Sequence, residues 1–144
     1  MKRKWKLIAA LTATVLWLWF IFSRSAKPAP ASQEESAVIL ELLRHLVPTI
    51  SLQTVRKLAH FTEFFILGGL LYLDWRLLGR GQLLLPLAAG LIAAAADETL
   101  QIFVPGRSGE VRDVMLDFAG VAAAVGGLLL LRRRRERKRH GSGT

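Results

Sequence analysis

Ten polar residues stand in or beside apolar stretches of this chain, and their types could do chemistry. His60 and Glu63 form an H-x-x-E pair, Asp97, Glu98 and Gln101 fall within five positions, Asp113 and Asp117 are a helical turn apart, and Lys57, Arg107 and Arg112 are the nearby cations. Three kinds of chemistry suit such a set. His60 and Glu63, completed by further acids, could hold a metal ion. The H-x-x-E spacing occurs without a second copy, however, and ion pairs between helices would use the same residues, so neither metal nor cofactor is expected. His60, Glu63, Asp97 and Glu98 could serve as general acid and base, because acids crowded at partial burial titrate apart. Thr62 and Thr99 are close in sequence, but nothing marks either as a nucleophile. Lys57, Arg107 and Arg112 could bind a phosphate or carboxylate. The favoured reading makes all ten residues the lining of a ligand-binding pocket.

The elements that would position them are apolar runs. Leu7–Phe22 follows the basic residues Lys2, Arg3, Lys4 and Lys6 and has Trp17 and Trp19 near its far end. It reads as a first transmembrane helix. The competing reading is a signal peptide, with Ala29-Pro30-Ala31 imitating a cleavage site, but the run and its tryptophans extend past a usual hydrophobic region. Ser23–Ala31, with two prolines, reads as a linker. Ser32 followed by Glu35 is a helix-start signal. Val38, Ile39, Leu42, Leu43, Leu46 and Val47 then recur at helical spacing up to Pro48, with Glu41, Arg44 and His45 between them. That pattern predicts an amphipathic helix lying on the outer membrane surface or capping the bundle. Leu58–Leu73, Leu83–Phe103 and Val114–Leu131 approach the length of about 20 residues that a spanning helix needs.

The expected fold is therefore all-α: a polytopic membrane bundle of about four transmembrane helices plus one amphipathic extracytoplasmic helix. Its units would be an anchor and linker (1–31), the amphipathic helix (32–54), a three-helix core (55–131) and a basic tail (132–144). With four spans, the N-terminus, the loop carrying Arg76 and Arg80, and the tail share one side, and the positive-inside rule makes it cytoplasmic. Trp5, Trp17, Trp19 and Trp75 would then sit near the membrane interfaces.

Depth and face bring the polar residues together. At about 1.5 Å per residue, Glu63 lies roughly 10 Å below Arg56, Asp97 roughly 9 Å below Phe103 and Asp117 roughly 6 Å below Asp113. All three thus reach a similar level on the outer side. Arg56, His60 and Glu63 share an arc of one helix. Asp113, Asp117, Gly120, Ala124 and Gly127 line a stripe of another, acidic outside and small inside, and small residues let helices pack closely in lipid. A lone charge at the centre of a spanning helix costs at least about 2.5–3.5 kcal/mol. The acids Glu63, Asp97, Glu98, Asp113 and Asp117 should therefore turn inward and meet Lys57, Arg107, Arg112 and His60 in one network.

Charge distribution fits a membrane better than nucleic acid. The net charge is +9, but the seven cations of Arg132–Arg139 and the four near the N-terminus flank a body with nine cations and ten acids. Basic ends on an apolar body are topology signals, and the tail would contact anionic lipids. Membrane lipids are the expected partners and no nucleic acid is. There is no cysteine, which excludes disulfides and thiolate chemistry.

Three stretches carry a resemblance. Arg56-Lys57-Leu58-Ala59-His60-Phe61-Thr62-Glu63-Phe64 resembles the RK-x-x-H-F-x-E-Y/F opening of VanZ-like membrane proteins. Asp97-Glu98 through Gln101, Phe103, Pro105 and Arg107 resembles that family's DE-x-x-Q-x-F-x-P-x-R element, and Asp113-Val114 through Asp117 and Gly120 its D-V-x-x-N-x-x-G stretch. Asp117 departs from the commoner Asn and adds an acid. The resemblance covers about residues 55–127. It implies a small bacterial cytoplasmic-membrane protein of the cell envelope, in a family whose founding member is linked to low-level resistance to the lipoglycopeptide teicoplanin. A lipid-linked envelope precursor or a lipoglycopeptide would then be the anionic amphiphile in the pocket. An enzyme performing acid/base hydrolysis or group transfer on an envelope lipid, and a scaffold for membrane partners, are the alternatives.

Overall fold

The computed structural model describes residues 2–79 and 83–141, and among these it contains helices and turns but no strand. Five helices follow in order: α1 (Lys2–Ser25), α2 (Ala29–Arg44), α3 (Leu52–Leu78), α4 (Leu84–Ile102) and α5 (Val111–Gly141). Arg80, assigned above to the cytoplasmic loop, lies outside the described residues.

The helix ends follow from local chemistry. Ser51 caps α3 by accepting the Thr54 N–H at 3.1 Å, and Gly79 ends it with φ of 75°, a left-handed conformation that glycine adopts without steric cost. Pro86 sits in the first turn of α4, where a missing N–H breaks no helical bond. Two expected boundaries move. Helix α1 runs through Ser25, and α2 starts at Ala29, before the expected cap at Ser32. Pro28 occupies the N-cap and Pro30 the first turn, which suits proline's fixed φ, so the linker shrinks to three residues. The basic tail continues α5 instead of forming a separate segment. Arg and Lys are good helix formers, and Arg132 pairs with Glu136 at 2.8 Å across one turn.

Helix α3 is central and packs against each of the other four. Its core neighbours are Ile21 from α1, Ala94 from α4, and Val121 and Val125 from α5, around Phe64, Leu67 and Tyr72. Close packing of α3 on α5 depends on glycine: a Cβ on Gly68 would lie 2.7 Å from the Val121 carbonyl oxygen, and one on Gly120 2.5 Å from that of Phe61. Gly127, expected in the same stripe, meets nothing within 4 Å and belongs to the outer surface.

Helices α1, α4 and α5 are each long and apolar enough to cross a membrane. Many of their large apolar side chains face outward, among them Val15, Leu16, Ile92, Met115 and Leu130. Arg3 near the start of α1 donates to the Leu77 carbonyl at the end of α3. Arg76, Arg132, Arg135 and Lys138 border a recess at that same end. The bundle thus has a basic end, and the interior acids gather at the other. Asp74 is the exception: it is buried at the basic end and accepts the Thr14 hydroxyl at 2.6 Å. The indole of Trp17, expected at the interface, instead donates to the Glu63 carbonyl at 2.9 Å and fastens α1 to α3.

Candidate functional site

Four helices deliver polar groups to the end remote from Arg3 and Leu77. His60 comes from α3, Asp97, Glu98 and Gln101 from α4, Asp117 from α5, and Arg24 and Ser25 from α1. His60 Nδ1 is 3.9 Å from Asp97 Oδ2 and 3.7 Å from Asp117 Oδ2. Both carboxylates are 0% exposed. Asp97 Oδ2 accepts from Ser25 Oγ at 2.8 Å and from Gln101 Nε2 at 3.0 Å. The same amide donates to Glu98 Oε1 at 3.1 Å, and Arg107 Nη1 donates to Gln101 Oε1 at 3.1 Å. Gln101 is therefore held at both ends, nitrogen to the acids and oxygen to the guanidinium. Glu98 Oε2 accepts the Glu110 N–H at 2.9 Å, which ties the α4–α5 loop to α4.

Charged pairs surround this centre. Lys57 and Asp113 are 3.2 Å apart at the rim, and Arg24 Nε lies 3.1 Å from Glu63 Oε1. Arg24 also meets Glu35 at 3.2 Å, and Lys27 bonds to Glu35 as well. That hydrogen bond from Lys27 holds the Glu35 carboxyl below its ordinary range. Arg107, in the loop after α4, reaches the Arg24 carbonyl at 3.4 Å through Nη2. Burial, followed by the charge of Arg56, pulls its guanidinium below the usual value.

A cavity of about 130 Å³ opens here, lined among others by Arg56, Lys57, His60, Arg107, Asp113 and Asp117. Of the ten residues singled out in the sequence, Lys57, His60, Glu98, Gln101, Arg107, Asp113 and Asp117 line it. Asp97 is buried beside His60. Glu63 borders an adjoining recess with Arg24 and Ser36. Arg112 does not join: it is exposed, outside the cavity lining, and in no ion pair among the described residues. It lies about 100° round α5 from Asp113, on the side turned away from α3.

Sequence reasoning missed Arg24 and Ser25, which were assigned to a linker, and Arg56 as a cavity residue. The absence of Pro or Gly between Phe22 and Lys27 was the available sign that α1 continues. The H-x-x-E pairing also resolves differently. Glu63 is taken by Arg24, and the residues that join His60 are Asp97 and Asp117, with one ligand-type atom from each lying within 4.8 Å of the others.

None of Thr62, Thr99 and Ser25 is placed as a nucleophile. Thr62 and Thr99 are exposed and donate to their own helices, to the Leu58 and Ala95 carbonyls, both at 2.7 Å. Ser25 donates to Asp97, which therefore stands between serine and histidine, whereas a serine nucleophile needs the base next to it.

No curated protein and no solved structure matches the chain significantly. The family model described as VanZ/LLP1 matches residues 10–132, from within α1 to the start of the basic tail, and so takes in every helix that builds the site. The protein is a membrane protein belonging to the VanZ/LLP1 family.

Proposed function

We propose that the protein acts in bacterial cell-envelope physiology by binding the anionic head group of an amphiphile in the cavity between α3, α4 and α5. In this reading α1, α3, α4 and α5 all span the cytoplasmic membrane, both termini are cytoplasmic and the cavity faces outward. The gathering of Arg3, Arg76, Arg132, Arg135 and Lys138 at the opposite end supports that orientation. Helix α3 carries too many polar groups to stand among the three apolar spans, but it is 27 residues long and is sheltered by the other helices. Helix α2 exposes Val38, Ile39 and Leu42, and Leu46 follows in the turn beyond it, an apolar surface suited to the outer membrane face.

The observation that carries the binding reading is the placement of Arg56, Lys57 and Arg107 around one cavity. Arg56 and Arg107 repel each other, and an anion between them relieves that repulsion. At about 130 Å³ the cavity falls well short of the roughly 300–1,000 Å³ of drug-sized sites. It takes a phosphate or carboxylate head group, and the apolar remainder of the ligand stays in lipid. A lipid-linked envelope precursor or a teicoplanin-type lipoglycopeptide has that shape, and low-level glycopeptide resistance follows from such binding. The alternative of acid/base chemistry on an envelope lipid draws on His60 beside two carboxylates, and turnover of added lipid would distinguish it.

The test is calorimetric titration of the chain in nanodiscs with decyl phosphate. A hydrogen bond to a charged group contributes about 1.5–3 kcal/mol, so Arg107→Ala should weaken binding by about 10- to 100-fold. Arg112→Ala, at an exposed position, should leave it unchanged. Equal affinity in wild type and Arg107→Ala would refute the pocket.

A further inference from the structure

Asp117 is 0% exposed, and neither of its carboxylate oxygens has a hydrogen-bond partner among the described residues. Asp97, equally buried, has its Oδ2 held by Ser25 and Gln101 while Oδ1 has no partner. His60 Nδ1, between the two, is likewise buried without a hydrogen bond. Buried polar atoms in native proteins are nearly always satisfied, and four orphans on three neighbouring side chains need a physical explanation. The neighbouring cations do not supply one: Arg56 lines the same cavity but forms no ion pair with either acid among the described residues. Arg24 is engaged by Glu63 and Glu35, Lys57 by Asp113, and Arg107 by the Gln101 and Arg24 oxygens. Two buried carboxylates are left facing one imidazole.

We propose that His60, Asp97 and Asp117 bind a first-row divalent metal ion of the Zn²⁺ or Mn²⁺ class. Two carboxylates and a neutral imidazole neutralise a dication, which removes the cost of burying the acids alone. One nitrogen and two oxygen donors suit Zn²⁺ and Mn²⁺ better than Mg²⁺ or Ca²⁺, which prefer all-oxygen sites. The geometry is close to what such an ion requires. Ligands about 2.0–2.1 Å from a tetrahedral ion lie about 3.3 Å from one another. The separations of 3.7 and 3.9 Å from His60 have to contract by about half an ångström, and the two carboxylates, within 4.8 Å of each other, by up to about 1.5 Å, as they close on an ion. Ser25 and Gln101 hold Asp97 from behind, and Arg107 holds Gln101, the kind of outer support that orients ligating carboxylates. His60 and Asp117 also line the cavity, which gives the ion an entry path and leaves a coordination position open to it. The sequence spacing pointed to Glu63 as the partner of His60, but a position three residues along turns the glutamate toward α1 and leaves the histidine facing α4 and α5. The metal site stands whether or not the cavity takes an anion.

The experiment uses the full chain in nanodiscs, stripped with chelator and titrated separately with Zn²⁺ and Mn²⁺, without any amphiphile. One ion per chain should bind. Losing an outer-shell support such as Gln101 weakens metal sites by about 10- to 100-fold, so losing a ligand in Asp117→Asn should weaken this one by more than about 100-fold. His45→Ala, at an exposed position on another element, should change nothing. Mn²⁺ bound to protein labelled with ¹⁵N-histidine should show nitrogen coupling in pulsed paramagnetic resonance, a readout that requires no substitution in the site. Absence of stoichiometric binding, undiminished binding in a folded Asp117→Asn variant, or bound Mn²⁺ without histidine coupling would each overturn the proposal.

Discussion

Gly120 links the packing of the bundle to the geometry of its polar centre, and replacing it with alanine tests that link. A methyl group there would lie 2.5 Å from the Phe61 carbonyl oxygen and 3.0 Å from the Phe65 nitrogen, both backbone atoms of α3 that no rotamer change can move. Carbon–oxygen contacts settle near 3.3–3.6 Å, so α5 has to retreat by about 1 Å. Overpacking of this kind costs about 1–3 kcal/mol, of which alanine's better helix propensity returns up to about 1 kcal/mol. An exposed Gly127→Ala gains the same propensity without the clash, so Gly120→Ala should be the less stable of the two by about 1–3 kcal/mol, about 5- to 150-fold in the folded-to-unfolded ratio. Asp117 lies one turn away on the same helix, and its 3.7 Å approach to His60 would lengthen to roughly 4.5 Å, beyond ion-pair reach. Gly127→Ala is the control, since its methyl group meets nothing within 4 Å. Reversible unfolding in bicelles, followed by steric trapping, measures both variants. If Gly120→Ala proves as stable as Gly127→Ala, then α3 and α5 are not in backbone contact and the convergence of His60 with Asp117 loses its structural basis.

Two further outcomes follow from the contacts of α1 and of the linker after it. Arg24→Ala should destabilise the fold by about 2 kcal/mol, because Glu63 keeps its partly buried charge without its partner, and adding Glu63→Gln should recover most of the loss in a double-mutant cycle; additive effects would mean that the pair does not interact. The Lys27–Glu35 bond lowers the Glu35 pKa, so its contribution is fully present above the ordinary glutamate value and disappears as pH falls through the lower folded value. Protection factors for amide exchange in α2, in which the intrinsic pH dependence of exchange is divided out, should therefore stay constant from neutral pH down to the usual carboxylate range and fall only in stronger acid, and a fall already near pH 6 would contradict this anchor.

The polar centre was legible because hydrocarbon imposes a strict requirement. His60, Asp97 and Asp117 each interrupt an apolar run, and a charge in such a place has to find partners at the same depth on another helix. Depth follows from helical rise and facing from helical angle, so both could be read without coordinates. What escaped reading depended on contacts made across the chain. Ser32 and Glu35 have a capping pattern, but Pro28 and Pro30 start α2 earlier, and Glu35 turns to Lys27 and Arg24. Trp17 has the composition of an interfacial anchor, yet its indole finds a carbonyl inside the bundle. Arg112 and Asp113 are equally polar neighbours, and only the packing of α5 decides that the acid faces Lys57 while the arginine faces outward.

The first helix shows most clearly how much of the site depends on one element. Read by composition it is an anchor, and a cleaved leader was the competing interpretation. In the fold it supplies partners to three carboxylates on two other helices: Thr14 to Asp74, Arg24 to Glu63 and Ser25 to Asp97. A cut after Ala31 would remove all three at once. Losing Arg24 costs about 2 kcal/mol, and a buried acceptor left without its hydroxyl partner about 1–3 kcal/mol, against a total stability of about 5–15 kcal/mol for a typical domain. Asp97 would be the most exposed to that loss, since Ser25 and Gln101 share its Oδ2 and the remaining oxygen has no hydrogen bond of its own. The family match, which begins at residue 10, likewise runs through α1 rather than starting after it. Helix α1 is therefore a wall of the polar centre in this fold, and the carboxylates on α3 and α4 are partnered inside the bundle through it.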